Sequence, residues 1–200
     1  FKVGEENFTA LRDINLEIDS GSFMSFVGPS GSGKTTILNL IGGLDVPTAG
    51  NIFFQNTKLS SMNRNQMAQY RRKNIGFIFQ TYNLFPVYSV YENILFPLLL
   101  NGSKEKDARE RVMNIVNKVG LSDQVKKRPS QLSGGQCQRV AIARALVKDP
   151  LLILADEPTA NLDSKNSLQI LELMSELNKQ YKAAVVFSTH DEKVTRYVRR

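Results

Sequence analysis

The chain predicts an α/β fold, a mostly parallel sheet with flanking helices, and three observations carry that prediction. Residues 22–27, 151–154 and 184–187 are short apolar runs, the pattern of strands covered on both faces. Each gives way at its carboxyl end to chemistry-bearing residues: a glycine-rich stretch from Gly28, the pair Asp156-Glu157, and Ser188-Thr189-His190. That edge is where ligands of open parallel sheets gather. Between the runs, apolar residues recur at helical spacing.

From the amino end, residues 7–19 read as sheet and turn. The strand 22–27 runs into Gly28-Pro29-Ser30-Gly31-Ser32-Gly33-Lys34-Thr35, and Ile37, Leu38, Leu40 and Ile41 follow at helical spacing. Residues 42–50 are turn-rich and lead to strands over 51–54 and 75–79. Ser89 and Glu92 form a capping box for a helix reaching about Leu100. Val112, Ile115, Val116 and Val119 repeat at i, i+3, i+4 and i+7, with Gly120 placed as the C-cap. A helix over 138–146, the strand 151–154, a long helix over 164–181 and the strand 184–187 complete the order. Internal repeats, low-complexity tracts and linkers are absent from the sequence. The expected organisation is a core of residues 1–80 and 150–200, interrupted by a helical subdomain of residues 81–149.

Composition narrows the function classes. Two hundred residues, 42% hydrophobic and 22% charged, are ordinary globular usage. The longest apolar run, residues 94–100, falls far short of the ~20 residues of a membrane span and contains Pro97, so a membrane role is expected only through another chain. The chain opens at Phe1 without a Met, and terminal segments are expected to be missing. A single cysteine, Cys137, excludes an internal disulfide, and one Cys with one His cannot build a zinc site. The net charge of +7 is spread along the chain, with short clusters at residues 71–73 and 126–128, and reads as a solvated basic surface rather than a nucleic-acid site.

The chemistry begins at residues 28–35, where glycines let successive N–H groups converge on phosphate oxygens. Lys34 can reach between the β- and γ-phosphates, and the Thr35 hydroxyl can ligate Mg²⁺. Asp156 and Glu157 sit at a strand end, a place equally open to a solvated terminus or a helix cap. Leu132-Ser133-Gly134-Gly135-Gln136 offers small residues and free N–H groups at the start of a helical pattern, the recipe for a second anion site.

With these motifs in this order, the chain resembles the ABC ATPases along almost its whole length. The resemblance implies a P-loop NTPase core with an antiparallel β segment and an inserted helical subdomain, acting on ATP with Mg²⁺. Ser30, Gly31, Ser32, Gly33, Lys34, Thr35 and Thr36 would hold the phosphates, and Phe1 would stack on adenine. Thr35, Gln80 and Asp156 would serve the metal. Glu157 would polarise the attacking water, Gln80 would touch metal or water, and His190 would contact the γ-phosphate. Ser133, Gly134, Gly135 and Gln136 would clamp the nucleotide held by a second copy, with Asp163 in a loop crossing the same interface, so a homodimer is implied. Leu84, Phe85 and Tyr88 are either subdomain core or the lining of a groove for a partner's helix.

The stretch between Gln80 and Leu132 is too short for the coiled-coil arms of chromosome-maintenance ATPases, and one nucleotide unit argues against tandem ribosomal types. Residues 43–50, 71–80 and 156–164 look most like bacterial ATPases of the lipoprotein-release and macrolide-exporter type. That likeness implies a permease subunit or fused transmembrane domain as partner, at the cytoplasmic face of the inner membrane, with force transmitted across the bilayer. Two other readings stay open: an ABC ATPase that regulates cell-wall or cell-division enzymes, and a nucleic-acid-associated ATPase motivated by the charge. Cys137 falls in the first turn of a helix near Arg139, where the dipole favours a reactive thiolate, against the plainer expectation of a buried, inert thiol.

Overall fold

The computed structural model describes residues 9–191, and before them only the backbone pairing of β1 (Lys2–Val3) with β2 (Glu6–Asn7). Phe1 lies outside the described residues. The elements that follow are β3 (Phe23–Val27), α1 (Lys34–Ile41), β4 (Phe53–Phe54), β5 (Thr57–Lys58), α2 (Arg64–Asn74), β6 (Ile75–Ile78), α3 (Val90–Leu100), α4 (Glu105–Lys118), α5 (Gly134–Leu146), β7 (Leu152–Ala155), α6 (Ser164–Tyr181) and β8 (Ala184–Thr189). Four of the strands form a parallel sheet in the order β3-β8-β7-β6. Antiparallel pairing is confined to β1 with β2 and β4 with β5.

Strand alternation divides the core into two clusters. Leu152, Leu154 and Val186 face α1 through Leu38, while Ile153, Ala155, Val185 and Phe187 face the opposite side with α5 and α6. The second cluster continues without a break through Val140 and Ile142 of α5 to Ile94 and Leu98 of α3 and Val112, Ile115 and Val116 of α4. Each fully enclosed aliphatic or Phe side chain contributes about 1.5–3 kcal/mol.

Helix ends follow their capping residues. Ser89 and Glu92 cap α3 reciprocally, and Gly120, at φ +70°, follows the end of α4 as the spacing predicts. The helix α5 begins earlier than the apolar pattern indicates, at Gly134, because Ser133 and Gln136 form a capping box there. Two expectations are corrected. Sheet over residues 7–19 reduces to β2, since residues 9–19 carry no strand and Asp13 turns the chain at φ +52°. The helix α2 was not expected, because its Arg64–Asn74 sequence has almost no apolar face, yet Asn63 and Gln66 supply a full capping box.

Candidate active site

The phosphate loop is shaped by its glycines. Gly31 and Gly33 have φ of +79° and +88°, the left-handed region that favours glycine. At Gly33 space excludes a side chain as well, since a Cβ would stand 2.9 Å from Leu11 Cδ2 and 3.1 Å from the Ala10 carbonyl oxygen. The loop delivers Lys34 to the start of α1, whose N-terminus has no side-chain cap, leaving its first-turn N–H groups directed at the loop. Lys34 folds back so that Nζ donates to the carbonyls of Gly28 at 2.8 Å and Pro29 at 2.9 Å. Uncapped N–H groups and a lysine held only by carbonyls and one carboxylate form a donor set that fits the phosphates of ATP.

Thr35, one residue on, donates its hydroxyl to both oxygens of Asp156, at 3.1 and 2.9 Å. A hydroxyl against a carboxylate is an all-oxygen donor pair of the kind Mg²⁺ takes, with phosphate and water completing the shell. Among the described residues no cluster of three His, Cys, Asp or Glu side chains gathers.

Asp156 and Glu157 leave the end of β7 in different directions. Glu157 sits at φ +48°, a conformation that costs a non-glycine residue about 1–2 kcal/mol. Its carboxylate lies 3.7 Å from Lys34 Nζ through Oε1 and 2.7 Å from His190 Nδ1 through Oε2. Glu157 is mostly enclosed, with 15% of its side chain exposed, whereas His190 stands 60% exposed at the rim. Lys34, Glu157 and His190, far apart in sequence, thus converge at the carboxyl edge of the sheet. Beneath them the hydroxyl of Ser188, fully buried, accepts the Glu157 N–H at 2.8 Å and donates to Asp156 Oδ1 at 2.6 Å.

Gln80 follows β6 on the same edge. Its side chain is exposed and takes no part in the hydrogen bonds joining Thr35, Asp156, Ser188 and Glu157, while its carbonyl accepts from Asn161 Nδ2 at 2.8 Å. Beyond it Tyr82 and Asn83 both adopt left-handed backbone, with φ of +60° and +47°. Arg144 of α5 donates to both of their carbonyls, at 2.8 Å to Tyr82, and burial lowers the pKa of its guanidinium.

Ser133, Gly134, Gly135 and Gln136 stand apart from this cluster. No described hydrogen bond or ion pair joins them to the phosphate loop of the same chain. They pack instead on the segments around Gln80 and Asp163: a Cβ at Gly134 would meet Tyr82 Oη at 3.0 Å and Leu162 Cδ2 at 3.5 Å, and one at Gly135 would meet Asn166 Oδ1 at 3.3 Å. Asp163 is the N-cap of α6, and hydrogen bonds from the Asn166 backbone and side chain lower its carboxyl pKa. Ser30, Ser32 and Thr36 lie in the loop and the first turn of α1.

The reactive-thiolate expectation for Cys137 is overturned. The side chain is buried, Sγ sits 3.6 Å from the Pro129 carbonyl, and burial pushes the thiol pKa up despite the helix N-terminus. Arg139 is engaged elsewhere, donating to the Val119 carbonyl at 3.1 Å. Both readings of the segment after Gln80 have a counterpart. Leu84 packs on the main core, while Phe85, at 40% exposure, meets Tyr88 and Phe96 at ring-centroid distances of 5.3 and 4.8 Å on the surface.

Tyr82 and Arg144 were given no role from sequence, while Ser188 was placed among the residues closing the last strand and Asn161 in the loop of Asp163, neither with a role of its own. The only trace of Ser188 was a hydroxyl closing an otherwise apolar run. Arg144 left only a second arginine in a helix otherwise made largely of small and aliphatic residues.

A family model described as ABC transporter matches residues 11–160. The chain belongs to the ABC transporter ATP-binding family. The cassette is 45% identical over 191 residues to the lipoprotein-releasing system ATP-binding protein LolD of Legionella pneumophila, covering 96% of this chain and 84% of that protein. It is also 45% identical over 196 residues to the uncharacterized ABC transporter ATP-binding protein YvrO of Bacillus subtilis, with 98% and 85% covered. A dimeric structure of the ATP-binding cassette MJ0796 in a post-hydrolysis state with ADP and Pi superposes with a TM-score of 0.89 at 43% identity, covering 98% of this chain and 87% of that one. The cassette is an ATPase that binds ATP with Mg²⁺. No helix among its described residues is long and apolar enough to cross a membrane. His190 lies outside the span matched by the family model, and its contact with Glu157 carries its place in the site.

Proposed function

We propose that this cassette is the ATP-hydrolysing motor of a lipoprotein-release or exporter-type assembly. It acts as a head-to-tail homodimer around two nucleotides and drives a permease partner at the cytoplasmic face of the inner membrane. The observation that carries this reading is the division of the site. Lys34, Glu157 and His190 converge on one edge, whereas Ser133–Gln136 packs elsewhere and has no link to its own phosphate loop. A second copy supplies the missing half. The names of the relatives, LolD among them, support the transport setting, and the dimeric cassette structures support the pairing. Residues 1–80 and 150–200 form the nucleotide core and residues 81–149 the helical subdomain. Exposed apolar side chains of the latter, Phe85 and Val87 after Gln80 and Leu99 and Leu100 at the end of α3, suit a permease helix.

The mechanism follows from the side chains. Lys34, the first-turn N–H groups of α1 and the loop residues Ser30–Thr36 bind the β- and γ-phosphates. Lys34 gives up its carbonyl partners for phosphate oxygens, which hold its charge better. Thr35 and Asp156, together with Gln80, would hold Mg²⁺, which supplies neutralisation of phosphate charge. Glu157 orients the attacking water and takes its proton at a carboxylate oxygen. His190, through Nδ1, steadies that carboxylate and presents its outer edge to the γ-phosphate. Ser133–Gln136 of the partner subunit would close the site against bulk water, and Phe1 would meet the adenine.

Glu157→Gln tests this reading. Affinity for a fluorescent ATP analogue should stay within a few-fold of wild type while turnover falls by about 10²–10⁴, and light scattering with Mg·ATP should show an accumulated dimer. A variant that still hydrolyses ATP overturns the assignment.

A further inference from the structure

The two acidic neighbours at the end of β7 need different aims, one toward metal and one toward water, and a single buried hydroxyl is joined to both. In the β7–β8 register Ala155 pairs with Phe187, so the next residues, Asp156 and Ser188, lie side by side. Ser188 is fully enclosed, and its Oγ has two neighbours, Glu157 N at 2.8 Å and Asp156 Oδ1 at 2.6 Å. An amide N–H can only donate, so Oγ accepts there and its one hydrogen goes to the carboxylate. The hydroxyl therefore bonds to both acids, to the peptide N–H of Glu157 and to the side-chain carboxylate of Asp156. It holds the Asp156 side chain by one oxygen and Glu157 in its left-handed turn at φ +48°.

We propose that Ser188 is a positioning residue of the ATPase reaction: it fixes Asp156 through Oδ1, leaving Oδ2 bonded only to the Thr35 hydroxyl, and it fixes the backbone turn that aims Glu157 at Lys34 and His190. The inference rests on the proposed roles of Asp156 and Glu157. Nothing else among the described hydrogen bonds satisfies the Glu157 N–H, so losing the hydroxyl orphans that N–H and leaves the Asp156 carboxylate to Thr35 alone. A merely space-filling role predicts the opposite, since any residue of equal volume would serve.

Ser188→Ala, Ser188→Thr and Ser188→Val in the full chain test this. Thr and Val match each other in volume, so their difference isolates the hydroxyl. In the nucleotide-free protein, amide hydrogen exchange at Glu157 should speed up in the Ala and Val variants and stay near wild type in Thr. With ATP, kcat should fall and the Mg²⁺ concentration for half-maximal turnover should rise, each by roughly 10- to 100-fold in Ala and Val, as loss of an outer-shell partner does. KM for ATP, and nucleotide affinity in EDTA, should stay within about threefold, and Thr should recover most of kcat relative to Val. Equal behaviour of Thr and Val, or wild-type exchange and Mg²⁺ dependence in Ser188→Ala, overturns the inference. If Glu157→Gln is inactive while Ser188→Ala behaves as wild type, only the role of Ser188 fails; if Glu157→Gln still turns over, the reading beneath it fails.

Discussion

Cys137 shows how one residue's chemistry is decided by burial rather than by its neighbours in sequence. The helix N-terminus and a nearby arginine favour a thiolate, but the sulfur is packed beneath the helix and its pKa moves up. In the folded protein a maleimide should therefore label Cys137 far more slowly than in urea, at a rate unaffected by Mg·ATP, and Cys137→Ala should keep full turnover. Labelling at the rate of an exposed thiol would place the sulfur outside the core. Local motifs were legible at this scale: the loop glycines, Lys34, Thr35, Asp156, Glu157 and His190 each carry their chemistry in the residues beside them. Ser188 was not legible, because the carboxylate it holds lies 32 positions away and meets it only through sheet pairing.

Among the elements, α2 is the instructive one. Hydrophobic periodicity could not reveal a helix with no buried residue, and the Asn63–Gln66 box was the only sequence signal. Its carboxyl end is held instead by Lys148, whose Nζ donates to the carbonyls of Arg71 at 3.1 Å and Arg72 at 2.7 Å. Burial lowers the amine from 10.5 to about 8, even though helix carbonyls favour its charged form. The folded pKa lies below the unfolded one, so between about pH 8 and 10.5 the unfolded chain binds more protons and the stability contributed by Lys148 rises with pH. Urea midpoints at pH 7.5, 9 and 10 should show wild type gaining on Lys148→Met as pH increases. A constant gap would mean that Lys148 titrates as a solvent-exposed lysine.

Across the whole molecule, the four strands of the parallel sheet bring the phosphate loop, Gln80, the acidic pair and His190 to one edge, while Ser133–Gln136 packs against Tyr82, Leu162 and Asn166. That edge could be read from apolar runs ending in functional residues; the separation of Ser133–Gln136 from it came only as what the family resemblance implies, because it depends on how α5 packs against Tyr82 and Leu162. A two-fold dimer then contains two composite sites, each with one chain's Lys34 and the other's Ser133. Lys34→Ala and Ser133→Arg should each abolish turnover. Equal mixtures allowed to exchange should recover up to about a quarter of wild-type activity, since half the dimers are mixed and each has one intact site. Failure of verified heterodimers to hydrolyse ATP would exclude the head-to-tail arrangement. The left-handed Glu157 has a consequence for how such a chain is selected. Its backbone angle suits glycine or asparagine better than glutamate, so Glu157→Asn should hold or raise the melting temperature, by up to about 2–4 °C per kcal/mol of strain relieved, while turnover disappears. An engineer ranking variants of this cassette by heat resistance alone would discard, among the first changes, the carboxylate proposed to activate the water.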